Sequence, residues 1–414
     1  VNITLFASGT RGDVQPYIAL GKGLKAEGYN VCVLTSDDFE SLVRGAGLAF
    51  GSMGASVEAM LQSDEWRKSM ESGNFLLILR RMTAAMKRNA SDLARKMPAL
   101  LEGTDLLVAG MAGLGGPFSI AEKMRIPVIQ TYVFPITPTR AYPGPLTPTL
   151  PFGQTFNRAS FRAARQMLWQ SVRVADATTR KALGMAPPSF WGPYRSLAQK
   201  QVPLLYGFSE HVLPRPGDWP PSIHVTGYWF LDPPADWAPP PDLVAFLKAG
   251  PPPVYVGFGS MANRSPQETT QLALKALALS GQRGILASGW GGLSQADLPE
   301  TVYMLPSVPH SWLFPQMAAV VHHGGAGTTA AGLRAGIPSI VIPFFGDQPF
   351  WGQRIVSLGV GPAPIPKKQL TAEKLAAAIT AAVSDPGMRE RAAALGARIS
   401  AEDGVATAAR LIKG

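Results

Sequence analysis

Residues 322–329 read His322-His323-Gly324-Gly325-Ala326-Gly327-Thr328-Thr329, and Gly346-Asp347-Gln348 follows a short way on. The apolar run 318–321 leads in as a buried strand, and residues 330–335 lead out as a helix. A glycine turn between strand and helix points backbone N–H groups, and the positive end of a helix dipole, at one spot. Such a spot suits a phosphate. A histidine and two threonine hydroxyls at the same turn add donors enough for a diphosphate. Beyond the next apolar strand, 337–343, Asp347 and Gln348 offer the carboxylate and carboxamide that sugar hydroxyls need. These residues describe a nucleotide-sugar site.

Two other readings compete. Glycine turns join strands to helices throughout α/β proteins for steric reasons alone. In addition, Gly325-x-Gly327-x-x-Ala330 matches the dinucleotide-binding fingerprint, with Asp347 spaced like a ribose-binding acid. Against the latter, a double histidine stands where that strand would be apolar. Asp347 also lies past the turn 343–346, and the match falls deep in the chain.

A second loop, Ser8-Gly9-Thr10-Arg11-Gly12-Asp13-Val14-Gln15-Pro16, joins the first strand to the first helix. Asp13 has two readings. As an N-cap it satisfies the helix end, with Pro16 in the first turn. As a base it takes the proton of an attacking alcohol; the helix N-terminus would lower its pKa and keep it ionised. Gly257-Phe258-Gly259-Ser260 repeats the strand-then-glycine device, bringing a serine hydroxyl to the same diphosphate. Trp290 sits between glycines in Ser288-Gly289-Trp290-Gly291-Gly292 and offers a stacking surface for a base. Ser307-Val308-Pro309-His310 presents backbone that can grip a nucleobase edge.

The elements that must position these residues alternate. In the N-terminal half, 2–7, 30–35, 106–109 and 128–132 read as strands, and 16–27 and 39–46 as helices. That pattern predicts βαβ units and parallel sheets. A helix-rich stretch, 57–101, and a Pro/Gly-rich run, 134–153, interrupt it; insertions of this size line clefts or form lids. Residues 214–241 are dense in proline without a period and read as a semi-rigid linker. A second βα series follows, with strands at 283–287, 301–304 and 320–322, a helix at 267–280, and a helical end, 372–413, broken at Asp385-Pro386-Gly387. The expected division is an N-terminal acceptor domain 1–213, a linker 214–241, a nucleotide-sugar domain 242–395, and a helical tail 396–414 packing back on the first domain. Two doubly wound domains would leave ligands at their strand carboxyl ends, in a crevice between them.

The chain has 414 residues, 46% hydrophobic and 16% charged, too apolar for disorder and long enough for two domains. No apolar run reaches the roughly 18 residues of a membrane span. The start lacks the basic n-region of a signal peptide, and the single cysteine, Cys32, has no partner. Both features suit a cytoplasmic protein. A net charge of +10 favours anionic partners. Arg158, Arg162, Arg165 and Arg173 recur at helical spacing, with Arg80-Arg81 and Lys87-Arg88 on an earlier helix. They read as solvated faces or as a surface resting peripherally on anionic lipid at the inner membrane face. Nucleic acid is not expected, since no basic platform is interleaved with aromatics.

The set Gly9-x-Arg11-Gly12-Asp13-Val14-x-Pro16, Gly259-Ser260, Val308-Pro309-His310, His323-Gly324-Gly325-x-Gly327-Thr328 and Gly346-Asp347-Gln348 resembles the UDP-glycosyltransferase family of GT-B fold. It is most similar to the sterol 3β-glucosyltransferase branch and to bacterial antibiotic glycosyltransferases. The resemblance implies two facing Rossmann-like domains and inverting sugar transfer from UDP-glucose without a metal. Asp13 would be the general base. Ser260, His323, Gly325, Gly327, Thr328 and Arg11 would meet the donor phosphates, Val308 and His310 the base, and Asp347 and Gln348 the sugar. In the plant branch a tryptophan stacked on uracil precedes the Val-Pro pair; Ser307 stands here, so stacking passes to Trp290. That branch also uses a histidine base, whereas no histidine precedes His211.

Metal independence has its own warrant: no Asp-x-Asp pair occurs, and five histidines and one cysteine show no ligand spacing. For the acceptor, apolar residues of the insertions, Phe75, Met82, Phe134 and Met167, are candidates to line a pocket for a flat alcohol such as a sterol; ordinary core is the competing reading. Polyphenols, macrolides or glycopeptides, with UDP- or TDP-sugars, are the alternative. More distant ones are a nucleotide-sugar epimerase or phosphorylase, a nicotinamide-dependent oxidoreductase, and a non-catalytic lipid binder.

Overall fold

A computed structural model describes the chain apart from residues 55, 57–62, 64–74, 147–152, 235, 259–265, 288–297, 306 and 414. Two compact units emerge. The first gathers Val1–Val57, Phe75–Leu231 and Asp403–Gly414; the second is built on Asp232–Glu402.

In the first unit seven strands, β1 (Asn2–Phe6), β2 (Asn30–Thr35), β3 (Ala49–Ser52), β4 (Leu106–Ala109), β5 (Val128–Tyr132), β6 (Leu204–Tyr206) and β7 (Ile223–Val225), form one sheet. Their order is β3-β2-β1-β4-β5-β6-β7, and every pairing is parallel. Strands covered on both faces read as nearly unbroken apolar runs, as Leu107, Val108 and Ala109, all fully buried, illustrate. The strand order reverses between β1 and β4, where Phe6 stands beside Ala109. That is the topological switch point of a doubly wound sheet.

The first helix runs Arg11–Ala26 and turns Val14, Tyr17, Ile18, Leu20 and Leu24 inward at helical spacing. It begins five residues ahead of the expected start at 16. Thr10 is the N-cap, and its N–H and hydroxyl both donate to Asp13 Oδ2, at 2.8 and 2.9 Å. Asp13 is therefore the N3 member of a capping box and not the N-cap itself. Pro16 consequently lies beyond the first turn, where its missing N–H leaves the Gly12 carbonyl without an i+4 donor. Gly9 makes the turn feasible. Its φ is +136°, and a Cβ there would collide with the Asp13 carboxylate.

The long helices Phe75–Leu100 and Gly153–Ala182 pack on each other in this unit. Trp169 sits between them with Leu114 and Val172, bordered by Met86, Met111, Phe118 and Tyr194. A polar network ties the second of them to the helix Pro117–Met124: Ser119 Oγ donates to the buried Asp176 at 2.6 Å, and Arg180 reaches both Ser119 and Glu122 at 3.0 Å.

The stretch expected to be a linker, 214–241, is not one throughout. Residues through Leu231 belong to the first unit, and β7 extends its sheet. Arg215 supports this edge by donating to the carbonyls of Ile223, Trp219 and Pro220. A three-residue edge strand among prolines leaves almost no periodic signal. At the other end, the helix Gly404–Lys413 returns to the same unit, with Gly404 pressed against the backbone of Gly227 and Tyr228.

The second unit carries β8 (Val254–Gly257), β9 (Gly284–Ala287), β10 (Val302–Leu305), β11 (Ala319–His322) and β12 (Ser339–Val341). The order is β10-β9-β8-β11-β12, again all parallel, with its reversal between β8 and β11. Leu243, Tyr255, Ile285, Leu313, Phe314 and Val320 belong to the core on one face. The tail holds three helices, Ala372–Ser384, Pro386–Ser400 and Gly404–Lys413. Asp385 caps the second by accepting from Met388 N–H at 3.0 Å, which explains the break expected there. Among the described residues no helix is long and apolar enough to cross a membrane.

The capping box gives a first test. Thr10→Ala removes the hydroxyl donor to Asp13 and should destabilise the protein by about 1 kcal/mol in urea unfolding; an unchanged midpoint would show that the box contributes nothing.

Candidate active site

Each unit presents its reactive residues at its own switch point. In the first, β1 ends at Phe6, and the loop after it delivers Asp13 to the helix N-terminus. The residue keeps solvent-exposed surface, yet the protein around its carboxyl strips hydration and raises the pKa, against the pull of the two Thr10 bonds. The expectation that the helix end would set the pKa low is thereby corrected: loss of water outweighs it. A carboxylate raised from its ordinary range is a stronger base. Arg11 stands at the first helical position, with its guanidinium pKa lowered by burial.

Tyr17, four residues after Asp13, was not singled out by the sequence. Its hydroxyl is within 2.7 Å of Thr131 Oγ1 on β5, and its ring meets Trp229 edge-on at 6.3 Å. Burial raises the phenol's pKa, and the charge of Asp13 raises it further. It stays neutral and ties the first helix to β5. The i, i+4 spacing from Asp13 was the available signal.

In the second unit, β11 ends in His322, which lies beside Gly257 of β8 across the switch point. The helix Ala326–Arg334 then starts with Gly325 as its N-cap. Ala326, Gly327 and Thr328 occupy its first turn, where N–H groups lack intrahelical acceptors. Gly324 takes φ +87°, and a Cβ there would lie 2.6 Å from Val341 Cγ1. His322 is fully buried, and its Nδ1 accepts the Gly324 N–H at 3.0 Å. That bond puts the imidazole proton on Nε2, which has no partner among the described residues. Burial, then the neighbouring His323 and His310, hold His322 down to about 3. Burial likewise holds the half-buried His323 down to about 4. Both rings are therefore neutral at pH 7 and carry no charge.

His310 begins a short helix and stacks on Phe314, with centroids 4.3 Å apart and planes 13° apart. Tyr255 Oη lies 3.5 Å from its Nε2. Val308 is half-buried against the core. Asp347 precedes the helix Gln348–Leu358 and accepts from Trp351 Nε1 at 2.8 Å. Gln348 is buried, and its Oε1 accepts from Phe344 and Phe345 N–H at 2.7 and 3.2 Å. Its carboxamide therefore shapes the turn 344–347 first, a function that the sequence reading missed. Ser260 and Trp290 lie outside the described residues.

For the acceptor candidates the structure is less concentrated. Phe134, in the loop after β5, and Met167, on the Gly153–Ala182 helix, are both half-buried. Neither lines the apolar seam between that loop and helix, a void of about 10 Å³ bounded by Ile136, Leu146, Phe161 and Leu168 among others. The loop is anchored by Tyr206, whose hydroxyl accepts from the N–H groups of Ile136 and Thr137 at 3.0 and 2.8 Å. The side chains of Phe75 and Met82 lie outside the described residues. Among the described residues no three His, Cys, Asp or Glu side chains gather as a metal site.

A doubly wound sheet with a donor-rich turn at its switch point defines a nucleotide-binding module, and here it follows a second such sheet. Comparison with known proteins agrees. Residues 3–143 match the glycosyltransferase family 28 N-terminal domain. Residues 291–409 match the erythromycin biosynthesis protein CIII-like C-terminal domain. The chain is 36% identical over 423 residues to sterol 3-beta-glucosyltransferase UGT80A2 of Arabidopsis thaliana, covering 99% of this chain and 65% of that one. It is 37% identical over 422 residues to UGT80B1 of the same plant, covering 99% and 67%. The chain thus spans about two thirds of the length of these relatives. The crystal structure of the glycotransferase of kitacinnamycin superposes with TM-score 0.72 at 20% identity, covering 100% of this chain and 98% of that one. Glycosyltransferase VinC in complex with dTDP superposes with TM-score 0.70 at 16% identity, covering 100% and 99%. The fold is GT-B, and the chain belongs to the UDP-glycosyltransferase family.

The depressed histidine pKa values predict an acid-sensitive fold. Below about pH 6.5 the unfolded chain protonates these rings while the folded one does not, so stability falls as pH drops toward 4. His322→Asn keeps an acceptor for Gly324 N–H but cannot titrate. Thermal melts between pH 7.5 and 5 should fall less steeply for it than for the wild type; identical slopes would refute the assignment.

Proposed function

We propose that this protein is an inverting, metal-independent glycosyltransferase that moves glucose from UDP-glucose to the hydroxyl of an apolar alcohol, with sterols the first choice. The first unit takes the acceptor and the second the donor. The observation that carries this reading is the presence, in one chain, of a base-competent carboxylate at one switch point and an amide-lined turn at the other. Likeness to sterol 3-beta-glucosyltransferases over nearly the whole chain supports the acceptor class.

In the proposed reaction Asp13 accepts the alcohol proton as the alcohol oxygen attacks the anomeric carbon. The bond from that carbon to the diphosphate breaks on the opposite face, inverting the configuration, and its electron pair leaves with UDP. The charge growing on the leaving oxygen meets the N–H groups of Ala326, Gly327 and Thr328, the Thr328 hydroxyl and the neutral His323. Ser260 and Arg11 add donors to the phosphates, and Trp290, Val308 and His310 hold the nucleobase. Asp347 takes the sugar hydroxyls, and Gln348 keeps its turn in shape while presenting the rest of its amide to the sugar. Phe134 and Met167, with Phe75 and Met82, contribute to the acceptor pocket. An apolar acceptor is drawn from a membrane, so the protein works peripherally at an anionic surface. A second reading, transfer to a natural-product alcohol from a UDP- or TDP-sugar, draws on the erythromycin biosynthesis protein CIII-like match.

Asp13→Asn should lower turnover by about 10²–10⁴-fold while UDP binding, followed by calorimetric titration, stays within a few-fold. Full turnover in that variant would reject the base. EDTA should leave the purified enzyme's rate unchanged; its abolition would reject metal independence.

A further inference from the structure

The chain's positive charge is not spread over its surface. Residues 75–100 carry six Lys or Arg and one acid, Asp92, while residues 153–200 carry eight and one acid, Asp176. Asp176 is buried and bonded to Ser119, with Arg180 beside it. The positive excess of these two stretches exceeds the +10 of the whole protein. Both belong to the first unit, and their long helices pack together.

Beside this charge two aromatic side chains face water. Trp191 is 72% exposed and Phe190 54%, with rings edge-to-face at 5.0 Å. Single exposed apolar residues are ordinary, but adjacent exposed Trp and Phe on a rigid mount are not. The mount is specific. Gln166 and Gln170 on the Gly153–Ala182 helix both donate to the Phe190 carbonyl, at 3.0 and 2.7 Å, and Trp169 Nε1 donates to the Ser189 carbonyl at 3.0 Å. The Arg173 guanidinium lies 5.5 Å from the Phe190 ring centre. On that helix Arg158, Arg162, Gln166 and Arg173 follow i+4 and i+7 steps, so the arginines and the glutamine that clamps Phe190 share one stripe, over the buried Trp169. Arg158 and Arg162 are exposed, as is Arg195 just past the aromatic pair.

We infer that this stripe is the docking surface for an anionic phospholipid bilayer, with Trp191 and Phe190 entering the interface. The inference deepens the proposed function, on which it rests for its purpose, by naming how the enzyme holds the membrane that stores its acceptor. Charge complementarity selects the occupant. Arginines beside anionic headgroups attract, while indole and phenyl rings gain from the headgroup level, where an apolar body and a polar edge are both satisfied. A nucleic acid would use the arginines but gives exposed Trp191 no interleaved basic groove to stack in.

Sedimentation of the purified full chain with vesicles of phosphatidylcholine, with and without phosphatidylserine, tests the surface. The wild type should partition onto the anionic vesicles and lose that binding as salt rises. Trp191→Ala should weaken partitioning by about ten-fold, and the Arg158→Glu, Arg162→Glu double variant by at least as much, at roughly five-fold per charge lost. Melting temperatures, and turnover with a detergent-dispersed acceptor, should match the wild type in both. Equal binding to neutral and anionic vesicles, unchanged partitioning of Trp191→Ala, or displacement from vesicles by a slight amount of duplex DNA would each overturn the inference. Failure of turnover in every protein, with vesicle binding intact, would refute the proposed function and leave the docking surface standing.

Discussion

In a parallel sheet every connection leaves from the carboxyl edge, and where successive crossovers turn opposite ways that edge stays uncovered. This constraint organises both units. In the first it leaves the end of β1 open beside β4, and in the second the end of β8 beside β11. Backbone N–H groups at those openings have no strand or preceding helical turn to pair with, so the chain must end each strand in a tight, glycine-bearing turn. Gly9 and Gly324, both at positive φ, make those turns. Asp13 and His323 then follow from the geometry of a turn that only glycine permits.

Polar groups held at such turns carry opposed demands. To act as the proposed base, Asp13 must keep its charge yet lose enough water to value a proton. Two donors from Thr10 stabilise the anion, surrounding protein destabilises it, and the net displacement is upward. At the other turn burial acts on cations and pushes both histidines down, to about 3 and about 4. The same loss of water therefore strengthens a base in one unit and silences two acids in the other. His322 illustrates the cost. Its Nδ1 fixes the turn through Gly324, at the expense of a buried Nε2–H without a partner among the described residues.

Much of this was legible in the chain. Strands 106–109 and 128–132 match their expected bounds because a covered parallel strand is an apolar run with sharp polar ends. The donor turn was legible because glycine, histidine and threonine clustered between strand and helix admit few structures. What the sequence hid depended on partners far along the chain or on competing local bonds. The first helix starts at Arg11, ahead of Pro16, because a side chain three residues inside caps its own start. Strand β7 hides among prolines because three residues cannot show a period. That the Gln348 oxygen also holds Phe344 and Phe345 depends on local bonds that residue type does not announce. Whether an apolar residue such as Phe134 or Met167 lines a pocket depends on packing that periodicity does not encode.

The distribution of charge bears on both proposed ligands, a diphosphate and a lipid surface. From residue 318 to 333 there is no Lys, Arg, Asp or Glu, and the first cation, Arg334, closes the far end of the helix, paired with Asp232 at 3.0 Å. A diphosphate placed at that turn would meet aligned dipoles, hydroxyls and neutral imidazole, groups that bind through geometry and decay steeply with misplacement. Oriented neutral donors at this turn would favour the charge as it forms on the leaving oxygen. The helices 75–100 and 153–182 of the first unit carry twelve Lys or Arg against two acids. There, long-range attraction without directional demand is what a fluid anionic surface requires.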